Sequence, residues 1–228
     1  MFCLVAIAFW FKLWEALQSV EVWGFITTLV CVWLVARSSV WNFPVGIIAC
    51  VLAAVVNIRL RLYSDAGLQG VFIVLGIYGW IEWLRKPAGL ATEPEVPITR
   101  TSLQLWGRLG AFVVCFTAGA GYFFDTYTNA AAPYLDNFAT GVSIAAQYQI
   151  ARKKVENWLL WLGVDALYTW LYWQRGSVLF SILYFILMLL AAYGYWEWRQ
   201  LLRRAATAAA RPVVPPVAAA LEEEPRQV

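Results

Sequence analysis

Long apolar segments alternate along the chain with short polar breaks. A membrane-spanning helix needs about 20 mostly apolar residues, and seven segments come close to that length. The pattern therefore predicts helices near residues 19–36, 40–58, 66–84, 103–124, 136–151, 156–173 and 177–198. The breaks between them carry charged residues, glycine or proline, and the longest break is 85–102.

The two ends of the chain do not fit this pattern. Residues 1–17 begin with an apolar run that is short for a span. Because Trp10 and Trp14 lie near two charged residues, we expect an interfacial helix, with an eighth span as the alternative. No basic segment precedes the apolar run, which argues against a cleaved signal peptide. Residues 199–228 combine charges, alanines and prolines that cannot pack a core, so we predict a disordered tail.

The composition supports a membrane protein and excludes several other classes. Of the 228 residues, 62% are hydrophobic and 14% are charged, whereas a soluble domain is about 45–50% apolar and about 25% charged. A soluble globular domain, a disordered chain and a disulfide-rich module are thereby excluded. The net charge of +3 is too small and too dispersed to indicate nucleic acid. The predicted class is an all-α polytopic membrane protein.

Residue types that serve most catalytic and metal sites are scarce. The chain has no histidine, which excludes imidazole metal sites, histidine bases and Ser-His-Asp triads. The four cysteines lie singly in apolar runs, without a CxxC spacing. We therefore expect no metal and no cofactor, and we disfavour an enzyme.

The chain also contains an internal repeat. A shift of 115 residues aligns Asn42 with Asn157, Tyr78-Gly79 with Tyr193-Gly194, Glu82-Trp83 with Glu197-Trp198, and Ala36-Arg37 with Ala151-Arg152. The repeats cover 18–85 and 134–198, and the segment 86–133 holds a loop and a linker helix. Three spans and one linker make an even number, so both repeats enter the membrane from the same side. The predicted core is thus 3+1+3 parallel repeats, as in sugar-efflux carriers of the SWEET type.

The distribution of basic residues predicts the orientation. Most lysines and arginines fall on the side of the C-terminus, and the opposite side receives only Lys12, Arg59, Arg61 and Arg175. The positive-inside rule then places the C-terminus in the cytoplasm.

Polar side chains inside the predicted spans are candidates for a binding site. Thr140, Ser143 and Gln147 share one face of the fifth helix. A stripe on the sixth helix surrounds one carboxylate with rings: Trp158, Trp161, Asp165, Tyr168 and Tyr172. Gln69, Asn42 and Asn57 lie in the first repeat. Rings around an acid suit a planar, cationic or electron-poor ligand, because each ring contributes about 0.5–2 kcal/mol of cation–π attraction.

Each of these features also has a structural interpretation. Aromatic stripes often pack helices together, Gln147 could bond a neighbouring helix, and Asp165 could pair with an arginine. We expect Glu82 and Glu197 to form interfacial pairs with Arg85 and Arg199, and the tryptophans at helix ends to form a membrane belt. The argument for a site depends on several polar groups coinciding with the repeat.

Three motifs together resemble the PnuC family of nicotinamide riboside transporters. The first is the string KVENWLLW at 154–161, followed by Asp165. The second is LYxDxxLQ at 62–69, followed by IYGW at 77–80. The third is DxFxTxxSxxxQ at 136–147. The similarity covers residues 15–198 in order.

The resemblance implies a seven-helix core assembled as a homotrimer in the bacterial inner membrane. It implies facilitated diffusion without ATP or a coupling ion, with trapping by cytoplasmic phosphorylation of the vitamin. The implied substrate-binding residues are Gln69, Thr140, Ser143, Gln147, Trp161 and Asp165, followed by Asn42, Asn57, Tyr168, Tyr172 and Tyr184. Relatives of this family are assigned to thiamine and riboflavin, so another vitamin is the alternative substrate. A receptor that binds without transport is a further alternative.

Overall fold

The computed structural model describes residues 20–59, 63–85, 97–128 and 132–209. The described part of the chain forms seven α-helices, with boundaries within a few residues of those predicted, except that the seventh helix ends later than expected. They are α1 (Val20–Ala36), α2 (Asn42–Arg59), α3 (Tyr63–Leu84), α4 (Leu103–Tyr127), α5 (Pro133–Ala151), α6 (Asn157–Gln174) and α7 (Val178–Ala209). The predicted N-terminal helix over 1–17 lies outside the described residues.

Six of these helices form a closed ring. α1 packs on α2, α2 on α3, α3 on α5, α5 on α6, α6 on α7, and α7 returns to α1. α4 lies outside the ring and packs against α5. The two contacts between repeats, α3 with α5 and α7 with α1, exchange under the shift of 115. The ring thus has approximate twofold symmetry about its own axis, as parallel repeats require.

The helices have the length and composition of membrane spans, which confirms the predicted fold class. Within the described residues, α2, α4 and most of α3 and α7 are long and apolar enough to cross a bilayer. α1 contributes a shorter apolar stretch, Trp23–Ala36. Among the described helices, α5 and α6 have a lower hydropathy than these spans, because α5 carries several polar side chains and α6 is rich in tryptophan and tyrosine.

The repeat is visible in the turns that follow α1 and α5. Ser38 and Lys153 occupy equivalent positions, and both adopt the left-handed conformation, with φ of 53° and 47°. The next helix then begins with an asparagine whose Nδ2 donates to the carbonyl three residues earlier, from Asn42 to Ser39 and from Asn157 to Lys154, both at 2.6 Å. Asparagine recurs here because its short amide closes a tight turn.

The segment 97–102 breaks this symmetry, because its described hydrogen bonds to the repeats go to the second repeat. Thr99 donates its N–H to Lys153 O and accepts from Val155 N–H, both at 3.0 Å. Thr101 donates its hydroxyl to Glu156 Oε2 at 2.8 Å, and Ser102 caps α4. Burial lowers the pKa of Lys154, whose ammonium donates to the Thr99 hydroxyl at 2.8 Å. The linker helix is therefore attached to the second repeat at its first turn and along α5.

The C-terminal part of the chain differs from the predicted disordered tail. α7 continues past Trp198 to Ala209, so residues 199–209 are helical. The physical reason is local composition, because leucine, arginine, glutamine and alanine are strong helix formers. Residues 210–228 lie outside the described part.

Candidate functional site

One end of the ring is closed by tryptophans that cross between repeats. Trp83 of α3 donates its Nε1–H to the carbonyl of Ile150 in α5 at 3.1 Å. Trp198 of α7 donates to the carbonyl of Val35 in α1, also at 3.1 Å. The two bonds are equivalent under the repeat, and both indoles are buried. Each bond joins the third helix of one repeat to the last turn of the first helix of the other repeat.

Two further rings complete this closure. Phe43 meets Trp83 edge-on, with ring centroids 5.0 Å apart, and Trp158 meets Trp198 edge-on at 5.6 Å. Trp83 and Trp198 approach one another at 6.1 Å. These four residues are called the aromatic closure below. Edge-to-face pairs add about 0.5–1.5 kcal/mol each beyond their buried area.

Two glycines make room for the aromatic closure. A Cβ on Gly79 would lie 2.5 Å from the Phe43 ring, and a Cβ on Gly194 would lie 2.5 Å from the Trp158 indole. Both distances are far below van der Waals contact. The glycine of each Tyr-Gly pair of the repeat is therefore needed for packing at this end.

Ion pairs surround the aromatic closure and also cross between repeats. Arg152 lies 3.1 Å from Glu82, and Arg37 lies 3.7 Å from Glu197. The predicted pair of Glu82 with Arg85 is present at 2.9 Å. The predicted pair of Glu197 with Arg199 is wrong, because Glu197 faces the neighbouring helix α1. We refer to this charged end of the ring as the basic end.

Asp165 lies within the ring-forming part of α6, far from both helix ends. It is eight residues after the start of α6, a rise of about 12 Å, and only 4% of its surface is exposed. Trp161, one turn away, has its indole N–H buried without a partner in the described residues. A carboxylate and a free donor are thus held at mid-membrane depth.

The polar face of α5 is only partly available for binding. Ser143 is buried and donates its hydroxyl to the carbonyl of Ala139 in its own helix at 2.8 Å. Thr140 and Gln147 are half-buried on the same face. The amide of Asn42 is engaged in the turn at the basic end, where it donates to the Ser39 carbonyl.

Three predicted tyrosines do come together. The Tyr184 ring lies 4.9 Å from Tyr168 and 5.4 Å from Tyr172, and the second pair is nearly parallel, with an interplanar angle of 8°. The stack continues from Tyr172 to Phe180 at 5.2 Å, and from Phe180 to Phe25 of α1 at 5.8 Å. These aromatic side chains lie in the half of the six-helix ring that is away from the basic end.

Two of the three tyrosines have an amide at the equivalent position of the first repeat. The shift of 115 aligns Tyr172 with Asn57 and Tyr184 with Gln69. Both Asn57 and Gln69 are half-buried. The second repeat therefore has an aromatic side, on α6 and α7, at positions where the first repeat has an amide side, on α2 and α3.

Sequence reasoning missed the role of Trp83 and Trp198. Tryptophans at helix ends were expected to form a membrane belt, but these two are 4% and 0% exposed and join the repeats. Trp158 was expected in a ligand stripe and packs in the aromatic closure instead. The signal that identifies these residues is the YGxxEW motif, because a belt tryptophan has no reason to recur with its glycine.

Comparison with known proteins agrees with this architecture. Residues 18–200 match the family model described as nicotinamide mononucleotide transporter. The chain belongs to this family. The membership expected from the three motifs is thereby confirmed.

Individual relatives of the family are distant but match along most of their length. The chain is 26% identical over 213 residues to the nicotinamide riboside transporter PnuC of Escherichia coli, covering 80% of this chain and 85% of the relative. It is 28% identical over 179 residues to the riboflavin/roseoflavin transporter RibM of Streptomyces davaonensis, covering 77% and 82%. A crystal structure of the vitamin B3 transporter PnuC superposes with a TM-score of 0.64 at 26% identity, covering 87% of each chain.

Proposed function

We propose that this protein carries nicotinamide riboside across the bacterial inner membrane by facilitated diffusion. The substrate passes through the six-helix ring and binds once, between the two repeats. The observation that carries the proposal is the difference between the two repeats, because Tyr172 and Tyr184 in the second repeat stand where Asn57 and Gln69 stand in the first. An asymmetric vitamin needs different groups on its two sides, and the six-helix assembly offers aromatic side chains on one side and amides on the other.

The chemistry of each side fits one part of the vitamin. The pyridinium ring carries a fixed positive charge, which Asp165 balances and which aromatic faces attract. Trp161 and the tyrosines of α6 and α7 offer those faces. Asn57, Gln69 and Gln147 offer paired donors and acceptors for the carboxamide and ribose hydroxyls. Thr140 and Ser143 complete the polar wall on α5.

Transport then requires the two repeats to rock against each other. The aromatic closure seals the basic end, and opening it requires the two tryptophan–carbonyl bonds between the repeats to break. Substrate binding favours this exchange only as far as it binds the two states differently. In this proposal the basic end and the C-terminus face the cytoplasm, and phosphorylation there traps the vitamin. The protein itself moves its substrate without converting it, and it works as a homotrimer.

Two other ligands deserve comparison. A mononucleotide adds a phosphate to the riboside, and a dianion close to the buried Asp165 carboxylate is unfavourable. Riboflavin is a second candidate because RibM, which is named for it, is as similar to this chain as the PnuC relatives are. Riboflavin is planar but uncharged, so it gains stacking without the charge balance.

Uptake of labelled nicotinamide riboside into proteoliposomes tests the proposal. Asp165→Asn keeps the shape and removes the charge, so we expect uptake to fall at least tenfold, since losing about 1.4 kcal/mol is a factor of ten. Asp125→Asn, on the exposed face of α4 outside the ring, is the matched control and should retain uptake. Gln69→Leu against Gln104→Leu makes the same comparison for the amide side.

Competition distinguishes the ligands in the same assay. Excess unlabelled riboside should block uptake, while the mononucleotide, thiamine and riboflavin should compete weakly. If riboflavin is carried, and Asp165→Asn leaves its uptake intact, the alternative substrate is correct. If both aspartate variants transport the riboside like the parent protein, the assignment of the site is wrong.

A further inference from the structure

A groove outside the ring runs between α3, α4 and α5. It has a volume of about 290 Å³. α5 forms its floor because both α3 and α4 pack on α5. Apolar side chains from all three helices line it, including Leu75, Leu109, Phe112 and Ile144. Because α4 lies outside the ring, this groove is separate from the proposed transport path.

The groove is as deep as one leaflet of a bilayer. Leu75 lies nine residues before the end of α3, and Phe112 lies nine residues after the start of α4, each a rise of about 14 Å. The hydrocarbon core of a bilayer is about 30 Å thick. The groove therefore extends from the basic end to about the middle of the membrane.

One cation and one aromatic hydroxyl mark the shallow end of the groove. Arg108 lines it five residues into α4, and Tyr148 lines it three residues before the end of α5. Arg108 is exposed, and in the described residues its guanidinium has no ion pair or hydrogen bond. Tyr148 stacks on Tyr78 with an interplanar angle of 3°, which fixes its ring.

We propose that this groove binds an anionic phospholipid of the leaflet at the basic end. One acyl chain lies along the apolar floor, and the phosphate meets the Arg108 guanidinium. The charge of Arg108 selects an anionic headgroup, and basic pockets between helices are typical sites for such lipids. Guanidinium groups bind phosphate through paired donors, and tyrosine is common at headgroup depth. The site does not depend on which vitamin is carried.

Lipid binding to the delipidated protein tests this proposal. Phosphatidylglycerol is titrated in detergent, bound lipid is counted by native mass spectrometry, and thermal unfolding is followed in parallel. We expect one lipid per chain and a higher melting temperature. Phosphatidylethanolamine and inorganic phosphate at the same concentrations should produce neither effect, which separates an anionic lipid from a free anion.

Variants assign the effect to the groove. Arg108→Gln should weaken phosphatidylglycerol binding by at least about fivefold, while Arg108→Lys keeps the charge and much of the binding. Leu109→Trp fills the groove and should abolish binding with Arg108 still present. Arg175→Gln removes an exposed cation at the opposite end of the ring and should bind like the parent protein.

Several results would overturn the proposal. Equal binding by the parent and Arg108→Gln proteins is one, and equal loss in Arg175→Gln is another. An equal response to inorganic phosphate would indicate a simple anion site. A change in oligomeric mass caused by Leu109→Trp, without bound lipid in the parent protein, would mean that the groove is covered by a second copy of the chain. If Arg108→Gln does not fold, Arg108→Lys and Leu109→Trp decide the question.

Discussion

Replacing Trp198 by phenylalanine should open the basic end of the ring. The substitution keeps an aromatic ring in the closure but removes the Nε1–H that bonds the Val35 carbonyl at 3.1 Å. Trp83→Phe makes the same change at the equivalent position, where the bond to Ile150 is also 3.1 Å. Because both bonds join different repeats, they stabilise the closed arrangement and must break when the repeats separate at this end.

The magnitude follows from what each carbonyl retains. Val35 O also accepts from Ser38 N–H at 2.9 Å, and Ile150 O accepts from Lys153 N–H at 2.9 Å. Neither carbonyl is left unpaired, so the hydrogen-bond loss is at the net value of about 0.5–1.5 kcal/mol rather than the full desolvation cost. The smaller ring loses further packing. A total of about 1–3 kcal/mol shifts the ratio of open to closed states by about 5–150-fold.

Distances between the repeats report that shift. Spin labels at Leu84→Cys and Arg199→Cys, equivalent positions just after the two tryptophans, measure the separation of α3 and α7 once the four native cysteines are replaced. We expect one short distance in the parent protein and a growing longer distance in Trp198→Phe and Trp83→Phe. The two variants should resemble each other because the two bonds are equivalent.

Trp196→Phe is the matched control. It makes the same chemical change on the same helix, at a side chain that is 56% exposed and outside the aromatic closure. Its distance distribution should match that of the parent protein. The reasoning fails if Trp198→Phe leaves the short distance unchanged, or if Trp196→Phe lengthens it equally.

The remaining predictions concern stability and use thermal unfolding in detergent. Gly194→Ala should lower the free energy of unfolding by about 1–3 kcal/mol, because its Cβ would lie 2.5 Å from an indole of the closure. The control Gly110→Ala has open space around it and should raise the free energy of unfolding by up to about 1 kcal/mol through helix propensity. Equal effects of the two substitutions would refute the packing role of Gly194. Ser38→Gly should stabilise by up to about 1 kcal/mol, since φ is 53° there, and a loss would show that the turn needs the side chain. Glu82→Gln breaks the pair with Arg152 and should cost less than about 1 kcal/mol, an effect that disappears in high salt; a larger loss at high salt would contradict this.

The helices and their arrangement could be predicted because the membrane imposes length and polarity on each segment. Seven apolar segments became seven helices, and the shift of 115 identified which helices are equivalent. The length of a helix could not be predicted where the chain leaves the membrane and the constraint on polarity no longer applies. Residues 199–209 leave the apolar pattern, and there helix propensity alone extends α7.

The site was harder to predict because sequence spacing places residues on a helix face without saying what that face meets. Tyr168 and Tyr172 belong to the predicted stripe, and their partner Tyr184 lies on the next helix. Trp158 belongs to the same stripe by spacing, yet it packs in the aromatic closure, where its indole contacts Trp198 and fills the space beside Gly194. Only the packing between helices separates these two roles.

The distribution of symmetry within the ring follows from what each part must do. At the basic end the two repeats share their turns, their tryptophan bonds and their ion pairs, which suits the proposed rocking, because two halves separate evenly only if both sides of their contact are alike. Toward the middle the likeness ends, and Cys50, Asn57 and Gln69 stand where Asp165, Tyr172 and Tyr184 stand in the second repeat. Making Asn57 and Gln69 into tyrosines would restore symmetry and replace the amide side by a second aromatic side. We expect such a variant to remain closed at the basic end by the spin-label measurement and to lose riboside uptake in proteoliposomes; retained uptake would mean that recognition does not depend on the difference between the two sides.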